Sequence, residues 1–146
     1  MKRLKFIIPV FLAILIVFCF TNEGSNKTIE TFIGNDLNNI TKINIIRGDG
    51  ITETITDKKL INNVNDYLYK LNFIKVENKR GSGWTYALNL FRGNKEILTI
   101  TFIGEERCIF NVNGDWYKIV KSTDVTIESL FNKAKISKKL WLKPQF

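Results

Sequence analysis

Between residues 84 and 120 apolar side chains recur at every second position, in runs cut by short groups of turn formers. Trp84, Tyr86, Leu88 and Leu90 alternate with Thr85, Ala87 and Asn89. Leu98, Ile100 and Phe102 alternate with Ile97, Thr99 and Thr101, and Cys108, Phe110 and Val112 with Arg107, Ile109 and Asn111. A period of two puts each set on one side of a pleated strand. Turn formers at 92–95 and 104–106 separate the runs, and Asn113-Gly114 is the strongest hairpin signal of the chain. With 116–120 as the returning strand and 73–77 as a short one before the series, the pattern predicts an antiparallel meander of four to five strands.

Such a sheet must cover its apolar face. Asp57 is a candidate N-cap, and Leu60, Ile61, Val64, Tyr67, Leu68 and Leu71 then fall on one helical face, with Asn62, Asn63, Asp66 and Lys70 turned to water. Before this helix, 40–47 and 51–56 read as two strands joined by the tight turn Gly48-Asp49-Gly50, with Ile51, Glu53 and Ile55 sharing one side. After the meander, 122–124 can cap a last helix whose inner stripe is Ile127, Leu130, Phe131 and Ala134. The expected architecture is an α+β domain over 40–146: a hairpin, a helix, and a meander, with helices packed on one face and a basic C-terminal helix or tail from about residue 123. Residues 22–39 are polar, with Ile29, Phe32, Ile33 and Leu37 as the apolar anchors, and read as a stalk.

Residues 1–21 read as a signal peptide or an uncleaved membrane anchor. Lys2, Arg3 and Lys5 precede fifteen uncharged residues, 6–20. As a helix these span roughly 22 Å, short of a hydrocarbon core of ~30 Å. The basic start places the N-terminus inside and the remainder outside. Three endpoints stay open: retention as an anchor through 6–20, lipidation at Cys19, and release. A lipobox wants a small residue before the cysteine, whereas Phe18 stands there.

The formal net charge of +8 has no nucleic-acid reading once it is located. Of 22 Lys and Arg, the excess lies at the two ends, in Lys2, Arg3 and Lys5 and in Lys133, Lys135, Lys138, Lys139 and Lys143; the rest balance the 14 Asp and Glu between them. There is no histidine, which excludes imidazole metal sites, Ser-His-Asp and Cys-His nucleophiles and histidine pH switches. Cys108 follows the phase of Phe110 and reads as a small buried residue with no base to activate it. No metal site, cofactor or catalytic constellation is expected.

The candidate binding residues are Lys79, Arg80, Gly81, Ser82, Gly83 and Trp84, a loop between two strands whose glycines and cations suit an anion or a partner. The loop lacks the phosphate-loop spacing, and a plain hairpin loop is its simpler reading. Asn111 to Asp115 has a superficial likeness to a calcium loop but lacks its spaced carboxylates, so it reads as a hairpin. Trp84, Tyr86, Trp116 and Tyr117 form either an aromatic platform or core. Lys138, Lys139, Trp141 and Lys143 lie in a basic, aromatic-bearing tail that either meets an anionic membrane surface or packs back on the domain.

The basic start, the apolar run to Cys19 and the order of strands, helix and meander resemble the small lipoprotein-like or membrane-anchored proteins of low-GC Gram-positive bacteria that carry a domain of unknown function. That resemblance implies a place at the cell membrane with the domain facing outside, or secretion, and brings no site residues. The function expected is a non-catalytic domain that binds a protein, peptide or cell-wall component. The alternatives are an inhibitor or immunity-type protein against a secreted enzyme and, third, a small hydrolase using carboxylates.

Overall fold

The computed structural model describes residues 26–77, 83–120 and 124–141, with backbone only at 35 and 139–141. Its centre is one antiparallel sheet of seven strands, so the α+β expectation holds. In chain order the strands are β1 (Lys42–Arg47), β2 (Thr52–Ile55), β3 (Phe73–Val76), β4 (Tyr86–Arg92), β5 (Lys95–Ile103), β6 (Arg107–Phe110) and β7 (Trp116–Ile119). In space the order is β2-β1-β4-β5-β6-β7-β3. Helices α1 (Glu30–Ile33), α2 (Lys58–Tyr69) and α3 (Ile127–Trp141), with a 3-10 segment Gly34–Asn39, complete the described chain.

The alternation read from the sequence sorts the two faces. Ile43, Ile45, Leu88, Leu90, Leu98, Ile100, Phe102, Cys108, Phe110 and Tyr117 are buried on the inner face. All the helices lie on this side. Phe32 of α1 stacks on Phe110 with 3.8 Å between ring centroids and meets Phe73 and Tyr117 edge-on. Tyr67 of α2 leans on Phe102, and Phe131 of α3 packs against Tyr86 with the Arg47 guanidinium over its ring. The Asp57 carboxylate accepts from the Leu60 N–H at 2.9 Å, which fixes the start of α2 as its sequence position requires.

Three expectations need correction. The stretch 22–39 is not a stalk from Lys27 onward. Lys27 exchanges two backbone hydrogen bonds with Phe73, and Ile29 and Leu37 are fully buried. Asn65 of α2 ties this segment down by donating to the Leu37 carbonyl at 3.0 Å. Four spaced apolar residues were enough to hold a polar stretch to the core. Second, β3 does not join the meander beside β4. It pairs with β7 at the far edge and runs parallel to β4, so the link between them is a crossover past three strands and not a hairpin. Third, α3 is capped by Thr126, whose hydroxyl accepts from the Ser129 N–H at 3.1 Å, and not from 122–124. Alternation also ends earlier than the sequence suggests: Ile51 lies just before β2 and Val112 in the turn after β6, and both are exposed.

The β1–β2 turn is built for a close approach. A Cβ on Gly48 would stand 2.8 Å from the Trp84 carbonyl oxygen, so only glycine fits where the Gly48 N–H donates to the Thr85 carbonyl. Asp49 closes the same turn, accepting from the Arg47 guanidinium at 2.6 Å and from the Ile51 N–H at 3.1 Å. The Arg47 bonds and charge hold the Asp49 carboxyl below the usual carboxylate range.

Candidate binding face

The outer face of the sheet carries no described helix, and its rows of directly opposed residues are chemically distinct. One row crosses all seven strands: Thr52, Ile46, Ala87, Thr101, Ile109, Trp116 and Val76. Six strand spacings of ~4.8 Å make it roughly 29 Å long. Except for the exposed Thr52, every member is half-buried. All but Ala87 are β-branched or aromatic, the residue types that pack across strands on a pleated surface.

On one side of this row runs a polar one of Thr54, Asn44, Asn89 and Thr99. The Thr54 hydroxyl donates to the Asn44 side-chain oxygen at 3.0 Å, while the Asn89 side-chain oxygen is buried without a hydrogen bond. On the other side Arg107 and Lys118 stand directly opposite each other on β6 and β7. Neither forms an ion pair within the described residues. A shallow depression lies at this end, lined by Val76, Glu77, Glu106, Arg107, Trp116 and Lys118. The face therefore offers an apolar band, an amide and hydroxyl border, and a cationic border.

The residues singled out from the sequence fall in different places. Lys79, Arg80, Gly81 and Ser82 lie outside the described residues, as do Cys19 and Lys143. Gly83 is exposed, and Trp84 is 42% exposed beside the β1–β2 turn. Lys139 and Trp141 belong to the last turn of α3. The Lys138 ammonium turns back to the domain, 3.8 Å from the buried Glu53 carboxylate. The four aromatics do not make one platform. Tyr117 is buried on the inner face, Tyr86 is half-buried beneath α3, Trp116 is on the outer face and Trp84 is at the sheet's end.

Catalytic chemistry finds little to work with among the described residues. No cluster of three or more Cys, Asp or Glu could hold a metal. Cys108 is buried, and burial pushes its thiol far above the ordinary value, so it is a thiol and not a nucleophile. Asp115 in the β6–β7 turn is engaged by Lys75 at 2.8 Å and accepts a long hydrogen bond from the Tyr117 hydroxyl, which fits a hairpin and not a cation loop. The outer band was missed in the sequence because its members are spread over seven strands and one of them, Val76, joins from the unexpected edge. Among the described residues no helix is long and apolar enough to cross a membrane; the 6–20 segment lies outside them. Comparison with known protein families, with curated proteins and with solved structures finds no match.

Proposed function

We propose that this chain is a non-catalytic envelope domain, held at the outer side of the cell membrane by residues 6–20, that binds a protein through the outer face of its sheet. The observation that carries the reading is the apolar row through Ile46, Ile109 and Trp116, which no described helix covers although a helix covers every strand's other side. A band of this kind gains by leaving water against a second apolar surface. Its cationic border at Arg107 and Lys118 favours a partner with an acidic rim, which would also set the orientation of docking.

A photo-crosslinking residue placed at 109, with the protein in its native membranes, tests this. The expected result is one crosslinked protein band, lost on adding Lys118→Glu and absent when the crosslinker sits at 62 on the helical side. Equal labelling from 62 and 109, or a band indifferent to Lys118→Glu, would remove the outer face as the binding site. The inhibitor reading draws on a different observation, the exposed indole of Trp84 next to the β1–β2 turn. A crosslink from 84 and none from 109 would favour it.

A further inference from the structure

The helical side of the sheet holds a second concave feature. A cavity of about 340 Å³ opens where the C-terminal end of α2, the β5–β6 turn and the start of α3 meet. Leu71, Phe102 and Ile127 give it an apolar floor. Tyr67 lines it and is 7% exposed, and its hydroxyl makes no hydrogen bond to any described residue. Burial, with smaller contributions from Cys108 and Glu105, holds the Tyr67 phenol well above its ordinary value. The group is therefore a permanent O–H donor. The hydroxyl has no partner among the described residues and is not sealed from solvent, so it can donate to an acceptor placed in the cavity.

The rim is charged in both senses. Glu105 and Glu106 lie on the β5–β6 turn, and Lys118 borders the cavity from β7. None of the three forms an ion pair with a described residue. Two carboxylates, one ammonium and a fixed phenol donor around an apolar floor match a ligand that bears both charges on a short apolar body. The volume falls in the range of small-ligand pockets.

We propose that this cavity binds a free amino acid or short peptide with an apolar side chain. Its ammonium meets Glu105 and Glu106, its carboxylate meets Lys118 and the Tyr67 hydroxyl, and its side chain rests on Leu71, Phe102 and Ile127. Lys118 stands at the boundary of this cavity and the outer face, but the proposal does not rest on the protein-binding reading, and the Ile109→Asp variant separates the two.

The test is a calorimetric titration of the full-length protein with the dipeptide alanyl-leucine, its N-acetyl form and its C-terminal amide, with the Tyr67 ring signal followed by NMR on tyrosine-labelled protein. Saturable binding of the free dipeptide that moves the Tyr67 signal is expected. Tyr67→Phe should weaken it about tenfold or more, the worth of one hydrogen bond to a charged group, with the far-ultraviolet circular dichroism unchanged. Glu105→Gln with Glu106→Gln should weaken it on the order of tenfold and abolish the preference over the N-acetyl form. Ile109→Asp on the outer face should leave it unchanged. No saturable binding at millimolar dipeptide, as for a cavity that holds water alone, overturns the proposal. So do capped forms that bind as tightly as the free dipeptide, or a Tyr67→Phe protein that is folded and binds as before.

Discussion

Ile45 and Ile46 are neighbours in β1 and identical in chemistry, yet Ile45 is fully buried beneath the helices and Ile46 is half-buried on a side that no described helix covers. The same contrast repeats at Ile109 and Phe110 in β6. The inner face uses its apolar residues to hold the fold. It is continuous with α1 through stacked and edge-on rings and with α2 and α3 through tilted ones, and it buries Phe73, Phe102, Phe110, Tyr117 and Phe131 completely. The outer face arranges comparable residues in a single line between a polar and a cationic border. Residues that serve the core are placed by what covers them; residues in the outer line have no such cover among the described residues, which is what the proposed contact with a partner would use.

The largest effect that would sharpen this contrast is in the aromatic cluster. Phe110 is enclosed by Phe32, Phe73 and Tyr117. Phe110→Ala should cost about 3–5 kcal/mol in urea unfolding, the range for removing a ring from a packed core. A loss near that of a surface change would mean that the inner face is not the centre of stability.

A second effect concerns Cys108, whose thiol burial pushes up. The folded state keeps this proton while the unfolded chain releases it above its ordinary value of about 8.5. The unfolded state then binds fewer protons, so stability is full below that pH and falls as pH rises, by ~1.4 kcal/mol per pH unit for one proton. Tyr67, raised in the same direction, adds its own decline above about pH 10. Urea midpoints between these two values should lose their slope in Cys108→Ala, whatever the substitution does to absolute stability. An unchanged slope would place the titrating group elsewhere.

Glu53 is the buried charged residue of the inner face among those described and gives the third effect. It sits opposite Ile45, 7% exposed, and its Oε2 has no hydrogen bond and only the distant Lys138 ammonium for company. An apolar residue of similar volume often replaces a buried ion pair at no loss or with a gain in stability. Glu53→Leu should therefore stabilise the domain by about 1 kcal/mol, whereas Lys138→Ala alone should destabilise it by leaving the carboxylate without its cation. In the Glu53→Leu background, Lys138→Ala should then change nothing. A destabilised Glu53→Leu protein would show that the carboxylate belongs to the packing of α3 on β2.

Much of this was readable in the sequence, and the reason lies in range. Local signals carried: the period of two in β4, β5 and β6, the Asp57 cap, the Gly48 turn, and the inner stripe of α3 at Ile127, Leu130, Phe131 and Ala134. Glu53 was already in phase with Ile55. Contacts set by distant pairing did not carry. Nothing near Phe73 says that it pairs with Ile119 and with Lys27, and so the edge position of β3 and the docking of 27–39 were hidden. The outer row was hidden for the same cause, since each strand supplies it one residue and only the register lines them up. Tyr67 was legible as part of a buried stripe, but no pattern along α2 reveals that its hydroxyl ends at a cavity formed with the β5–β6 turn.

The smallest effect completes the comparison. Ile109→Thr keeps a β-branched side chain on β6 and removes part of the apolar band beside Thr101 and Trp116. Stability should change by about 0.5 kcal/mol or less, as for substitutions away from packed sites, against the several expected at the adjacent Phe110. If the outer band exists for a partner, this variant should unfold in urea as the parent does and yet lose the crosslink from a probe at position 46 in the same row. A loss of stability close to that of Phe110→Ala would mean that the outer face is covered within the protein itself. The row would then be a second core, and the two sides of the sheet would differ in what covers them rather than in purpose.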